Sequence, residues 1–315
     1  MAQQARNTIR VHGTSLRKRI WRDRYLYMLL VPVVVFFIVF KYAPLYGLQI
    51  AFKDYKMNLG ILGSEWVGMK YFNRLFSSAV FFRVFRNTLL LNIYNLVFGF
   101  PAPIILALML NEMRSQRYKR ISQSIVYIPH FFSWVVLAGM VDSVLSPSTG
   151  IVNMFIKAVT GSEEGIYFLA STRWWRTVFV VVNIWKEIGW GTIIYLAAIS
   201  GVDPQLYEAA IIDGAGKFQQ IFHITLPSIR PTIVILLVLR MGSMMDVGME
   251  PVLLLSNDVV RDVADVFSTY IYRQGIQSTQ YSLTTAMGIF QSVISTVLLL
   301  SANFISNRLT GEGIW

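Results

Sequence analysis

Cysteine is absent from this 315-residue chain, and histidine occurs three times, at His12, His130 and His223. The first absence removes disulfides, thiol chemistry and Cys-based metal sites. The second leaves no clustered imidazoles to hold a metal. Acidic residues are also few: 17 Asp and Glu stand against 28 Lys and Arg, for a net charge of +11. No Gly-x-x-x-x-Gly-Lys-Ser/Thr segment occurs, so the chain lacks a phosphate-cradling loop of its own. Low-complexity tracts and internal repeats are missing too.

What the chain has instead is apolar length. It is 55% hydrophobic, with a mean hydropathy of +0.52. Those values point to an integral membrane protein. The excess of bases then reflects topology and anionic lipid headgroups, not nucleic acid. Six runs approach the roughly 20 residues that a bilayer crossing needs. They are 25–50, 87–110, 121–145, 177–200, 230–255 and 283–305. The expected fold is all-α and integral to the membrane, with six transmembrane helices. Basic residues precede the first run, but no small-residue cleavage site follows it, so it reads as an uncleaved span.

Lys and Arg beside the spans set the orientation. Arg6, Arg10, Arg17, Lys18, Arg19, Arg22 and Arg24 crowd the N-terminal tail, and Arg114, Arg117, Lys119 and Arg120 follow the second span. Both groups belong on the cytoplasmic face. Residues 1–24 then form a basic cytoplasmic tail, 25–305 the transmembrane domain and 306–315 a cytoplasmic C-terminal tail. Segment 53–86, on the outer side, is also basic. Its part 71–86 alternates aromatics with charge and is expected to lie as a helix in the outer interface.

The cytoplasmic connection 201–229 carries the most specific signal. Asp203-Pro204 opens a helix well, Asp as N-cap and Pro in the first turn. Gly214 and Gly216 are natural stops. A second short helix is expected from Lys217 to about Ile224. Small Ala209 and Ala210 permit close approach by a partner; equally, the segment could simply cap the bundle.

The pattern Glu208-Ala209-Ala210, then Gly214, then Ile224-x-Leu226-Pro227 resembles the cytoplasmic signature of permease subunits in type I ATP-binding-cassette (ABC) importers. Seven fixed positions arise by chance on the order of 10⁻⁷ per start. Segment 184–190, leading to Gly201-Val202-Asp203-Pro204, is similar to the carbohydrate-uptake branch, as is Tyr127 through Trp134. Segment 263–275 is similar to permeases for polysaccharide-derived oligosaccharides. The resemblance implies a coupling helix between spans four and five, in which Glu208, Ala209, Ala210, Asp213, Gly214, Leu226 and Pro227 meet an ATPase. It also implies a heterodimer with a second permease, two ATPase subunits holding ATP and Mg, and an extracytoplasmic solute-binding protein. This chain would bind no cofactor and reside, multi-pass, in a bacterial cell membrane with both termini cytoplasmic.

Three runs carry polar groups at bilayer depth, where charge is costly and faces a cavity or a partner. Asn183, Glu187, Trp190 and Gly191 share a face of the fourth. Arg240, Ser243, Asp246 and Glu250 recur at near-helical intervals in the fifth; Thr284, Gly288, Gln291 and Ser295 form a stripe on the sixth. A translocation path for a sugar suits this pattern. The expected path residues are Asn183, Glu187, Trp190, Tyr195, Ser243, Met244, Asp246, Glu250, Thr284 and Gln291. The competing expectation is structural: Glu187 paired with Lys186, Asp246 with Arg240, and Trp190 as packing. An ion-coupled secondary transporter of a polar solute would also explain buried acids, and a membrane transferase would need a catalytic constellation that is not visible.

Overall fold

The computed structural model describes residues 21–311, 313 and 314. Arg6, Arg10, Arg17, Lys18 and Arg19 of the basic tail lie outside the described residues. In chain order the principal helices are α1 (Arg24–Phe52), α2 (Lys70–Phe76), α3 (Ala79–Asn111), α4 (Gln116–Phe131), α5 (Trp134–Leu145), α6 (Ile151–Thr160) and α7 (Trp175–Ser200). They continue with α8 (Pro204–Ile212), α9 (Lys217–Gly242), α10 (Met249–Leu255), α11 (Phe267–Ile271) and α12 (Tyr281–Thr310). A two-stranded ribbon pairs β1 (Lys53–Asp54) antiparallel with β2 (Glu65–Trp66).

Five of these helices, α1, α3, α7, α9 and α12, are long and apolar enough to cross a membrane, and the bent pair α4 and α5 is so when taken together, which makes six if the pair is one span. α3 has 33 residues. At 1.5 Å per residue it runs about 50 Å, well beyond a hydrocarbon core of about 30 Å.

Four boundaries differ from the sequence expectation, each for a local reason. Run 121–145 is not one helix: α4 and α5 meet at 103°. Pro129 sits in the last turn of α4, where its ring and missing N–H weaken the helix. Phe132 is then extended, and the Ser133 hydroxyl opens α5 by accepting from the Val136 N–H. Run 230–255 breaks after Gly242. There the Asp246 carboxylate accepts from Gly248 N–H at 2.9 Å, and Gly248 has φ +86°, outside helical space. Segment 71–86 is not one interfacial helix either. α2 ends at Phe76, Ser78 is extended, and residues 79–86 begin α3. Phe72, Leu75 and Phe81 face the protein core with Phe267 and Met287. Finally, the expected second loop helix runs on as the start of α9, through a widened turn at Ile221–Thr225 that precedes Pro227.

Three apolar clusters hold the bundle. One joins α7 to α10 around Trp175 and Phe179; the buried Trp175 indole donates to the Leu255 carbonyl at 2.8 Å. A second packs α2, the start of α3 and the start of α12. The third, around Ala107, Leu110, Tyr195, Ile199 and Ile229, ties α3, α7 and α9 together beside the α8 connection. Outside the long apolar helices, Tyr71 donates to the Asp54 carboxylate, which holds that carboxyl below its ordinary range.

Candidate functional site

A cavity of about 680 Å³ lies between α3, α7 and α9. Helical spacing brings Asn183, Glu187, Trp190 and Tyr195 of α7 to its wall. Ser243 and Asp246 reach it from the turn after α9, where the helix has already ended. Opposite them stand Asn92 and Asn95 of α3, with Arg240 and Trp134 beside them. The wall therefore mixes acceptors, donors and flat indole faces.

The other expected path residues lie elsewhere. Met244 is buried in the protein and Glu250 is exposed on α10. Thr284 turns its hydroxyl back onto the carbonyls of Gln280 and Tyr281 and packs against Gly275. Gln291 donates from Nε2 to the Met245 carbonyl at 2.8 Å, bridging α12 to the broken part of span five. Gln291, of the stripe on span six, thus serves the break next door, while Thr284 bonds within its own helix. Gln291→Leu is expected to leave that carbonyl unpaired and to cost about 1–3 kcal/mol of stability, read as a lower melting temperature in detergent.

The two expected ion pairs also rearrange. Glu187 Oε2 lies 3.0 Å from His130 Nδ1, not on Lys186. The His130 ring stacks on Trp190 with centroids 4.5 Å apart and planes 5° from parallel. Lys186 donates instead to the His130 and Phe132 carbonyls, both at 2.8 Å. Arg240 reaches Asn92 Oδ1 at 3.5 Å, while Asp246 caps Gly248. Sequence reasoning passed over Asn92 and Asn95; two amides three residues apart in an apolar run were the available signal.

The second candidate region is the connection around α8. The Asp203 carboxylate accepts from Gln205 N–H at 2.9 Å and starts the helix, as its sequence predicts. No residue of α8 is buried. Glu208, Ala209 and Asp213 are exposed, and Ala210 is half-buried. Gly214 adopts φ +79°, letting Ala215 N–H turn back to the Ala210 carbonyl at 2.8 Å. Tyr207 bonds Thr225 at 2.9 Å, and Lys217 bridges to Glu112 at the end of α3. Leu226 and Pro227 lie inside α9, away from α8 in sequence but on the same connection. Ile211, Ile212 and Phe218 stand largely in the open, Ile212 at 85% exposure.

Comparisons with known proteins bear on both regions. A family profile described as "Binding-protein-dependent transport system inner membrane component" matches residues 99–311, which include α8 and most of the cavity wall. Protein LplB of Bacillus subtilis (strain 168) is 48% identical over 303 residues, covering 96% of this chain and 95% of LplB. The polygalacturonan/rhamnogalacturonan transport system permease protein YteP of the same strain is 46% identical, covering 93% and 91%. A solved chain from a bacterial ABC transporter involved in import of the acidic polysaccharide alginate superposes with a TM-score of 0.87 at 46% identity, over 94% of this chain and 100% of that one. A second structure of a bacterial alginate ABC transporter, in complex with an alginate pentasaccharide-bound periplasmic protein, gives the same score and identity over 96% and 100%.

Proposed function

The chain belongs to the family of inner membrane components of binding-protein-dependent transport systems, and from that membership we infer how its parts divide the work of an ATP-driven importer. The cavity between α3, α7 and α9 carries the cargo, and the cargo is an oligosaccharide. One observation carries this: polar groups from three separated stretches of chain converge at bilayer depth beside exposed indole. Asn95 and Asn183 each offer both donor and acceptor to sugar hydroxyls, and Glu187 and Asp246 add acceptors, while the buried Asn92 accepts from Arg240 at the wall. Trp190 and Trp134 present flat apolar surface to the C–H faces of a pyranose. The names of YteP and of the alginate importer point the same way. The ion-coupled carrier considered from the sequence gains no support from these relatives.

α8 is the handle. Its open face, with Glu208, Ala209 and Asp213, docks on one of two ATPase subunits that hold ATP and Mg. A second permease completes the pore as a heterodimer, and an extracytoplasmic binding protein delivers the sugar. Arg22 and Arg24 at the start of α1, with Arg114 to Arg120 after α3, favour both termini and α8 on the cytoplasmic side. Closure of the ATPase pair then pulls α8, and the bundle rocks between two access states that ligands at both ends bias.

Uptake by proteoliposomes holding the whole assembly tests this. Transport that survives an ATPase-dead partner but collapses with a proton uncoupler would overturn it. Within the cavity, Trp190→Ala is expected to raise the half-saturating sugar concentration about tenfold, the factor that 1.4 kcal/mol of lost contact gives. An unchanged half-saturation would remove Trp190 from the path.

A further inference from the structure

Lys186 is 6% exposed near the middle of α7, at a depth where an isolated ammonium is costly. The transport cycle proposed above makes no use of it. Its partners are the carbonyls of His130 and Phe132, and its ammonium stands 5.5 Å from the centre of the Trp134 ring. Those two carbonyls end α4 and begin the extended link to α5. The last carbonyls of a helix have no partner within it, and in a membrane no bulk water replaces one. One ammonium with three donors supplies what the break leaves open.

The same turn of α7 reaches the cavity. Glu187 holds the His130 ring from the side, and Trp190 holds it from below. Glu187, Trp190 and Trp134 all line the cavity. The bend of span three and the wall of the cavity therefore share their side chains.

We propose that Lys186 is a positioning residue for translocation: by capping the open carbonyls it fixes the α4–α5 elbow, and the elbow, through His130, fixes Glu187 and Trp190 at the cavity wall. This rests on the cavity being the transport path. It also gives the cavity a mechanical link to the elbow. Cargo that draws Glu187 or Trp190 toward itself loosens His130, and movement of the elbow reshapes the wall.

The absence of cysteine from this chain makes the elbow directly measurable once any cysteines of the partner subunits are replaced. Ser124→Cys on α4 and Ser143→Cys on α5, both exposed, accept one spin label each in the purified, assembled transporter in lipid nanodiscs. Lys186→Met keeps the length of the stem and removes the donors. It is expected to shift or broaden the label-to-label distance and to raise the half-saturating sugar concentration about tenfold. His130→Gln acts further along the chain of contacts, so it is expected to raise the half-saturation while leaving the elbow distance unchanged. A merely structural lysine would lower yield and maximal rate together and leave half-saturation alone. An unaltered distance in K186M, or wild-type half-saturation in both variants, overturns the proposal. Should K186M fail to assemble, H130Q decides: a moved elbow or an unmoved half-saturation overturns it. If the wild-type assembly moves no sugar at all, the proposed cargo falls while the label distances still report on the elbow.

Discussion

Replacing Gly214 with valine is expected to cut ATP-driven uptake roughly tenfold while the subunit still inserts and folds. The reason is confined to the backbone. Gly214 sits at φ +79°, and a Cβ built there meets nothing within 4 Å, so the substitution adds strain without a clash. An L-residue in left-handed conformation costs about 1–2 kcal/mol, and a β-branched one more. The local way to relieve that cost is to unwind the turn that closes α8, because Ala215 N–H reaches the Ala210 carbonyl only through it. Under the proposed docking, α8 would then meet the ATPase in a shifted pose. Gly214→Asn, a residue that tolerates left-handed backbone, is expected to keep most of the uptake. Normal ATPase co-purification and normal uptake in the valine variant would remove the coupling role from this turn.

Gly189→Ala is expected to have a large effect on folding for a single added methyl. An added Cβ would lie 2.0 Å from the Val126 carbonyl oxygen and 2.5 Å from its carbon. Both are backbone atoms of α4, so no side chain can rotate away. Helix α4 must back off from α7, and the contacts of Lys186 and Glu187 with the elbow go with it. Overpacking of this kind costs about 1–3 kcal/mol where side chains can adjust, and more against rigid backbone. Membrane yield and melting temperature should both fall. Gly139→Ala on α5 is the matched control, since a Cβ there meets nothing within 4 Å and alanine favours helix. Equal melting temperatures for the two variants would show that α4 does not press on α7 at this point.

The fate of the polar stripes shows where sequence periodicity succeeds. In α7 the backbone is helical from Trp175 to Ser200, so the 3.6-residue spacing of Asn183, Glu187 and Trp190 translates directly into one face. In span five the same spacing misleads. The helix ends at Gly242, and Ser243 and Asp246 reach the cavity from a turn while Met244 turns inward and Glu250 outward. In span six the helix is regular, yet Gln291 spends its amide on a carbonyl that the neighbouring break exposed. A stripe predicts a shared direction; it does not predict what stands opposite.

The shape of the connection around α8 was legible because its signals are local. An N-cap, a proline in the first turn and a glycine at positive φ act within a few residues, and all three appear as written. His130 was not legible as a partner of Glu187, because 57 residues separate them and only the packing of α4 against α7 brings them together.

By itself, the order of residues determined that this chain is a helical membrane protein, where most of its spans run, and that a shaped connection follows the fourth. Those properties depend on apolar length and short-range backbone preference, which neighbouring residues settle among themselves. Only the tertiary structure decided which polar groups face the cavity and which mend broken helices. In a bilayer every freed carbonyl must find a donor inside the protein, and which donor answers depends on which helices touch.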